Sequence, residues 1–261
     1  MDGLLTASGL EAAPEVTPVS PWCSPPTTIR LGSDEVHVWR ADLTLSASRV
    51  ESLEQTLSTD ERERAQRFCF QTDREHFIVA RASLRAILGC YLDLKPDQLR
   101  FCYGPHGKPA LSSESLGGDL RFNLSHSDGL ALYAVTRGRE IGVDIERVRP
   151  ELADGKIAER FFSPREVAAL RALHPHLQLQ AFFNCWTRKE AYIKARGDGL
   201  SLPLDQFDVS VVPGEPAALL NTTHDLGESS RWLLRQLLPG ADYVAALAVE
   251  GLDWRLQCWQ W

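Results

Sequence analysis

The sequence lacks the excess of basic residues on which general nucleic-acid binders depend. Its 261 residues include 28 Lys and Arg against 35 Asp and Glu, a formal net charge of −7. Neutralising a nucleic-acid backbone requires a surplus of positive charge that displaces counterions. We therefore expect no nucleic-acid partner, and a site for a smaller polyanion would have to be built locally.

The sequence also lacks paired cysteines and long apolar runs. Its six cysteines are scattered, without a C-x-x-C pair or a histidine at zinc-ligand spacing, so we interpret them as reduced thiols. The first residues show neither the basic segment nor the apolar core of a signal peptide. No stretch approaches the roughly 20 apolar residues of a membrane span. These absences predict a cytoplasmic protein with no membrane partner.

What the sequence does contain indicates two α+β halves of similar plan. Residues 1–30, rich in Ala, Ser, Thr and Pro, show no sustained period and predict a flexible extension. Residues 31–138 predict a strand, a helix pair that begins with a capping box at Ser58 and Glu61, and three short strands. Residues 139–261 repeat that order, since ERAQRF and IAERFF each precede a long helix.

Two carboxylates lie on one face of a predicted strand, GVDIERV. Side chains two apart on a strand point to the same side, so Asp144 and Glu146 would lie together while the residues between them face the core. Like charges so close repel unless a cation lies between them, and Mg²⁺ takes oxygen ligands of this kind. The alternative is a half-exposed strand whose acids pair with Arg139 or Arg147. In both interpretations we expect Asp144 to be an exposed carboxylate.

The segment FFNCWTRKEAYIKARG adds a third carboxylate and an ammonium group. Phe182, Trp186 and Ile193 recur at helical spacing and predict a buried stripe. Glu190 and Lys194, four residues apart, would lie at the edge of that stripe. The alternative is an ordinary surface ion pair, which contributes little to stability.

Two further segments suit an anion. In FNLSHSDG a predicted strand ends at Ser125 and His126, where hydroxyls, an imidazole and free loop amides could bind phosphate, although a polar hairpin turn has the same pattern. A Ser–His hydrolase is not expected, because adjacent side chains rarely meet and no G-x-S-x-G elbow is present. Arginines, whose planar fork suits phosphate, cluster between residues 61 and 85, with a solvated helix surface as the alternative. Lys108, in the loop GPHGKP, is another candidate.

Taken in order, these motifs resemble those of the Sfp-type 4'-phosphopantetheinyl transferases. The resemblance runs from about Glu35 to Val211 and implies a pseudo-dimer of two similar α+β halves, with the active site in the cleft between them. A chain of this length would work as a monomer. The shared segments are G-K-P at 107–109, F-N-L-S-H-S at 122–127, G-V-D-I-E at 142–146, F-F-S at 161–163 and W-x-x-K-E-x-x-x-K at 186–194.

The resemblance implies transfer of the 4'-phosphopantetheine arm of coenzyme A to a serine of an apo carrier protein, with release of adenosine 3',5'-bisphosphate. The acceptors would be carrier proteins or carrier domains of fatty-acid, polyketide or nonribosomal peptide synthases. Asp144, Glu146 and Glu190 would bind Mg²⁺. Either Glu190 or a metal-bound water would take the serine proton. Lys194 would stabilise charge on the pyrophosphate, so Asp144, Glu190 and Lys194 form the implied catalytic group.

The resemblance also implies the coenzyme A contacts. Ser125 and His126 would hold the 3'-phosphate end, and Lys108 would lie against the nucleotide. The family often has a basic residue where Glu61 stands here, which leaves the arginine partners open. Our choices for further phosphate contacts are Arg64, Arg81 and Arg85.

Two other functions fit part of the pattern. A two-metal nuclease can carry a similar D-x-E strand, but it needs another aspartate on a late helix, where YIKAR offers basic residues. A coenzyme A binding module without chemistry would have little need for three carboxylates and a lysine together. Product formation that depends on Mg²⁺ separates the three functions.

Overall fold

The structure is a computed structural model that describes residues 21–112, 118–153, 155–197, 199–223, 225 and 227–261. The first part of the chain forms β1 (Glu35–Asp42), α1 (Ala47–Glu54), α2 (Thr59–Ala65), α3 (Gln71–Leu92), β2 (Phe101–Tyr103), β3 (Pro109–Leu111), β4 (Leu120–Ser127) and β5 (Leu130–Arg137). The second part forms β6 (Ile141–Arg147), α4 (Gly155–Phe161), α5 (Pro164–Ala172), α6 (Pro175–Arg196), β7 (Phe207–Val209), β8 (Leu219–Thr222), α7 (Glu228–Arg231), β9 (Trp232–Leu237), β10 (Tyr243–Glu250) and β11 (Arg255–Gln260).

The larger sheets follow the predicted α+β plan. One sheet has the strand order β11-β1-β5-β4, and another has the order β6-β10-β9. Within the first, β1 runs antiparallel to β5; within the second, β6 runs antiparallel to β10. Each sheet therefore has a long helix from its own part of the chain, α3 or α6, available to cover it.

The apolar stripe predicted for α6 is confirmed at two of its three residues, while Trp186 is only partly buried, and the helical spacing of Phe77, Leu84 and Ile87 predicts a similar stripe on α3. On α3, Phe77, Leu84 and Ile87 are buried, and on α6 Phe182 and Ile193 are buried. Helix α3 contributes to one apolar cluster with residues of β1 and β5, and α6 contributes to a second with residues of β9 and β10. Burial of these stripes supplies most of the energy that holds each helix on its sheet.

A glycine allows α6 to approach β6 closely. A Cβ atom at Gly142 would lie 2.1 Å from the carbonyl oxygen of Ala191 and 2.3 Å from the backbone nitrogen of Ala195. Only glycine leaves room for that approach. The glycine of the G-V-D-I-E motif therefore sets how near the side chains of β6 lie to those of α6.

The last strand departs from the predicted division of the chain. Strand β11 runs parallel to β1 and joins the sheet of the first half, so residues 139–261 do not form a sheet system of their own. The backbone of Cys23 forms an isolated parallel β-bridge with Trp259. The indole nitrogen of Trp22 donates a hydrogen bond to the carbonyl of Leu238 at 2.7 Å. These contacts fix residues 21–23, whereas residues 1–20 of the predicted flexible extension lie outside the described residues.

Three local predictions were incomplete. Helix α1 was not predicted, and the segment KIAERFFSPREVAALRAL, residues 156–173, whose pattern predicts a helix, is divided between α4 and α5. The division occurs because Ser163 accepts a hydrogen bond from the backbone of Glu166 at 3.2 Å and begins a new helix. The loop expected at Ser125–Ser127 is instead the end of β4, since the turn falls at Asp128, where φ is 50°.

Among the helices that the structure describes, none combines the length and the apolar character needed to cross a membrane.

Candidate functional site

Two strands from different sheets meet where the predicted carboxylates lie. Strands β4 and β6 lie side by side, yet no backbone pairing joins them in the described part of the chain. Polar side chains of β4 join them instead. The Oδ1 atom of Asn123 accepts from the backbone nitrogen of Val143 at 2.9 Å. The contacts nearest the carboxylates are Ser125 Oγ to Asp144 Oδ1 at 2.9 Å and Ser127 Oγ to Glu146 Oε2 at 3.0 Å.

Asp144 is buried, which corrects the expectation of an exposed carboxylate. Its side chain faces α6, and the residue is 3% exposed because α6 packs closely on β6. Lys194 Nζ donates to Asp144 Oδ1 at 2.6 Å and to Ser125 Oγ at 2.9 Å. Asp144 Oδ2 is also buried, but it has no hydrogen-bond partner among the described residues. Such an oxygen is unusual unless something else binds it.

The arginines that flank the strand do not neutralise these acids. Arg147 and Arg149 both form ion pairs with Asp128 in the β4–β5 turn. Arg139 donates to the backbone carbonyls of Glu250 and Asp253. The alternative in which Asp144 and Glu146 are half-exposed partners of Arg139 or Arg147 is therefore wrong.

Glu146 and Glu190 complete a group of three acids that affect one another. Burial raises the pKa of Glu190, and the charges of Asp144 and Glu146 raise it further, while Lys194 acts in the opposite direction. Burial and Asp144 likewise raise the pKa of Glu146, against the hydrogen bonds of Ser127 and Trp186. The acids are thus close enough to suppress each other's ionisation.

This set of side chains suits a hard divalent cation. Within the described residues, no three His, Cys, Asp or Glu side chains stand in the closed arrangement of a metal site. The donors are nevertheless all carboxylate oxygens, one of them is buried without a partner, and their mutual repulsion requires a counter-charge. The chemistry of the three acids therefore fits Mg²⁺.

The predicted anion site is only partly open. Ser125 Oγ is already bonded to Asp144 and Lys194, so its hydroxyl is not a free donor at a strand end. His126 is exposed. Desolvation by its surroundings lowers the pKa of His126, and the nearby charges of Lys194 and His76 lower it further. A lowered pKa favours the neutral imidazole, so His126 offers a hydrogen-bonding ring here, while the ammonium group of Lys194 supplies the positive charge.

Comparison with known proteins identifies the family. The chain matches the model of the 4'-phosphopantetheinyl transferase superfamily over residues 140–248 and the N-terminal model of 4'-phosphopantetheinyl transferase over residues 44–137. It is 42% identical over 240 residues to the 4'-phosphopantetheinyl transferase HetI of Nostoc sp., an alignment that covers 92% of this chain and 98% of HetI. The chain belongs to the 4'-phosphopantetheinyl transferase family.

Other relatives of this transferase agree. The 4'-phosphopantetheinyl transferase Sfp of Bacillus subtilis is 33% identical over 168 residues, which are 64% of this chain and 72% of Sfp. Among solved structures, the holo-[acyl-carrier-protein] synthase of Thermotoga maritima aligns with 44% of this chain and 64% of that chain, at 20% identity and a TM-score of 0.34. The resemblance found in the motifs is confirmed by the sequence relatives.

In this transferase, two of the three arginines chosen as phosphate contacts form a buried ion cluster. Glu61 is 2% exposed and Arg85 is 1% exposed. Arg81 donates to Glu61 Oε1 through Nε at 3.0 Å and through Nη2 at 2.7 Å, and Arg85 Nε donates to Glu61 Oε2 at 2.7 Å. The geometry therefore disagrees with a phosphate contact by Arg85 and leaves little of Arg81 available. Arg64 is exposed, with its guanidinium 5.4 Å from the ring centre of Phe77.

Lys108 joins the halves of the transferase. Its Nζ donates to the carbonyl of Ala195 at 2.8 Å, to that of Ile141 at 3.3 Å and to the Glu140 carboxylate at 3.2 Å. Burial lowers the pKa of Lys108, against the charge of Glu140. The side chain also lines a cavity of about 580 Å³ beside Arg121 and Glu140. Lys108 thus faces an open volume, although its ammonium is already hydrogen-bonded.

Sequence reasoning missed the roles of Asn123 and Ser127 in the transferase. The signal was present, because N-x-S-x-S over residues 123–127 alternates polar side chains on one face of a strand. Interpreting SHS as a loop concealed that alternation.

Proposed function

We propose that this transferase moves the 4'-phosphopantetheine arm of coenzyme A to a serine of an apo carrier protein, in a reaction that depends on Mg²⁺ and releases adenosine 3',5'-bisphosphate. Carrier proteins or domains of fatty-acid, polyketide or nonribosomal peptide synthases are the proposed acceptors. The observation that carries the proposal is the buried, unpartnered Oδ2 of Asp144, beside Lys194 and two acids of raised pKa. Such a site can accept a divalent cation and the pyrophosphate it accompanies.

Three acids would hold the cation, namely Asp144, Glu146 and Glu190. When bound, Mg²⁺ neutralises charge on the pyrophosphate and makes its phosphorus easier to attack. The Nζ atom of Lys194 lies 2.6 Å from Oδ1 of Asp144 and adds a fixed positive charge beside the proposed cation site. A preorganised charge of this kind stabilises developing negative charge without reorganisation.

Glu190 is the proposed acceptor of the serine proton. Burial and the neighbouring acids raise its pKa above the usual value of 4.5, which makes it a stronger base than a free glutamate. The serine oxygen forms the new bond to phosphorus, the bond from phosphorus to the oxygen of adenosine bisphosphate breaks, and Glu190 receives the proton.

The remaining contacts bind the donor. His126 is proposed to hold the 3'-phosphate, with Ser125 beside it, and exposed Arg64 to contact a further phosphate. Lys108 is proposed to lie against the nucleotide, supported by the cavity that it lines. Both strands of the site come from one chain, which supports a transferase that works as a monomer.

Intact mass of an apo carrier tests the proposed function. After incubation with the transferase, coenzyme A and Mg²⁺, the carrier should gain the mass of one phosphopantetheine arm. The gain should disappear with a chelator, and a carrier whose acceptor serine is replaced by alanine should gain nothing. No gain on carriers of all three synthase classes, despite measurable coenzyme A binding, would favour the binding module instead.

Magnesium should stabilise the protein more near neutral pH than in acid. Folding raises the pKa of Glu146 and Glu190 above the usual value of 4.5. Without metal, the free energy of unfolding therefore falls as pH rises from 4.5 through the pKa values of the folded state. Mg²⁺ needs the ionised forms and offsets this loss. At about 100 times its Kd it should raise Tm by roughly 5–10 °C near pH 7.5. Thermal unfolding at several pH values measures the effect, and an equal gain near pH 4.5 would contradict it.

A further inference from the structure

Strands β4 and β6 are joined by hydrogen bonds from β4 side chains, two of which bind the carboxylates of β6. Asn123, Ser125 and Ser127 contact successively later positions of β6, so the strands run in the same direction. Backbone pairing would fix the position of β6 at every residue. Here the hydrogen bonds that join the two strands at the site come instead from three β4 side chains.

The hydroxyl of Ser127 donates one hydrogen bond and accepts another. Its Oγ donates to Glu146 Oε2 at 3.0 Å and accepts from the backbone nitrogen of Arg147 at 3.1 Å. A serine hydroxyl has one proton to donate, so the bond from Arg147 directs that proton toward the carboxylate. Ser125 is arranged in the same way, between Lys194 and Asp144. Each strand carboxylate therefore has one oxygen held by a serine of the opposite sheet.

We propose that Ser127 is a positioning residue, which orients the Glu146 carboxylate for the divalent cation. This inference rests on the proposed function, because it concerns the site of that cation. Hydrogen bonds to ligating carboxylates fix their orientation, and loss of such a partner typically lowers metal affinity about 10- to 100-fold. In this role Ser127 contacts neither coenzyme A nor the carrier protein.

The structure supplies a matched control for the loss of one buried hydroxyl. Thr136, on the adjacent strand β5, is fully buried, and its Oγ1 donates to the carbonyl of Glu35 at 3.0 Å. Thr136→Val removes this hydrogen bond at nearly constant volume, in the same sheet but away from the carboxylates. A general effect of weakening the sheet should appear in both variants.

The test measures how Tm responds to Mg²⁺ with coenzyme A present and no carrier, so that no transfer occurs. For Ser127→Ala, the Mg²⁺ concentration that gives half of the full rise in Tm should increase at least about tenfold. This is about the smallest loss of metal affinity expected when a ligating carboxylate loses its hydrogen-bond partner. Ser127→Thr, which keeps the hydroxyl, should stay within about threefold of the wild type, as should Thr136→Val. The affinity for coenzyme A should be unchanged in all variants.

Several outcomes would overturn the inference. One is a Ser127→Ala response within threefold of the wild type; another is an equal shift in Thr136→Val. If the alanine variant fails to fold, Ser127→Cys is tested, since it keeps the volume but donates only weakly. Failure of both variants to fold would assign Ser127 a purely structural role. A wild-type protein without any Mg²⁺ response would instead count against the metal in the proposed function.

Discussion

Replacing Asp144 by asparagine should reduce transfer of the phosphopantetheine arm by on the order of 10³-fold or more, while the protein stays folded. The variant keeps the size of the side chain but removes the negative charge beside Lys194, together with the unpartnered Oδ2 oxygen that is proposed to bind the cation. The chemical step loses the group that places positive charge on the pyrophosphate. Time courses of carrier mass at saturating coenzyme A measure the loss.

The fold should tolerate this change because two effects oppose each other. The variant loses the ion pair between Asp144 and Lys194, but it also removes a charge that raises the pKa of Glu146 and Glu190. Asp128→Asn is a suitable control, since Asp128 pairs with Arg147 and Arg149 in the turn that follows β4. Its activity should stay within about threefold of the wild type. Activity of Asp144→Asn within tenfold of the wild type would remove Asp144 from the site.

Replacing Glu61 by alanine should lower the free energy of unfolding by about 3–5 kcal/mol, the cost of breaking a buried ion pair. The change leaves the guanidinium groups of Arg81 and Arg85 buried without their carboxylate. For a chain of this size, Tm should fall by roughly 6–20 °C. Burial works to raise the pKa of Glu61, but Arg81 and Arg85 outweigh it, so the pKa is lowered. The stabilisation is therefore complete above pH 4.5 and declines as pH falls through the lower folded pKa.

Glu54→Ala provides the comparison. Glu54 pairs with Arg74 at 3.0 Å, but their side chains are 21% and 41% exposed, and such surface pairs contribute at most about 1 kcal/mol. Thermal melts of the two variants in the same buffer measure the difference. If Glu61→Ala costs no more than Glu54→Ala, the cluster does not hold the fold, and Arg81 and Arg85 become candidates for phosphate contacts again.

Features that repeat along the chain could be predicted from the sequence. The spacing of Phe182 and Ile193 predicted the buried side of α6, and the alternation in GVDIERV predicted that Asp144 and Glu146 share one side of β6. The capping box at Ser58 and Glu61 was also visible, because its signal spans only four residues.

Features that depend on distant residues could not be predicted. Arg81 and Arg85 lie 20 and 24 residues after Glu61, so the sequence showed a helix start and several arginines but not the buried cluster. Burial of Asp144 depends on α6, about 50 residues away, packing over Gly142. The strand that pairs with β11 could not be predicted either, because the alternation of apolar and polar residues in β11 is compatible with either sheet.

The parallel pairing of β11 with β1 has a consequence for synthesis of the protein. Strand β1 carries buried Val36 and Val38 and leaves the ribosome before its partner β11, which follows more than 200 residues later. Until then, the nascent first sheet has an unpaired edge of the kind that promotes association between chains. The first sheet is therefore complete only after the last strand of the second half has been made, and an apolar cluster with residues of both sheets joins the halves as well.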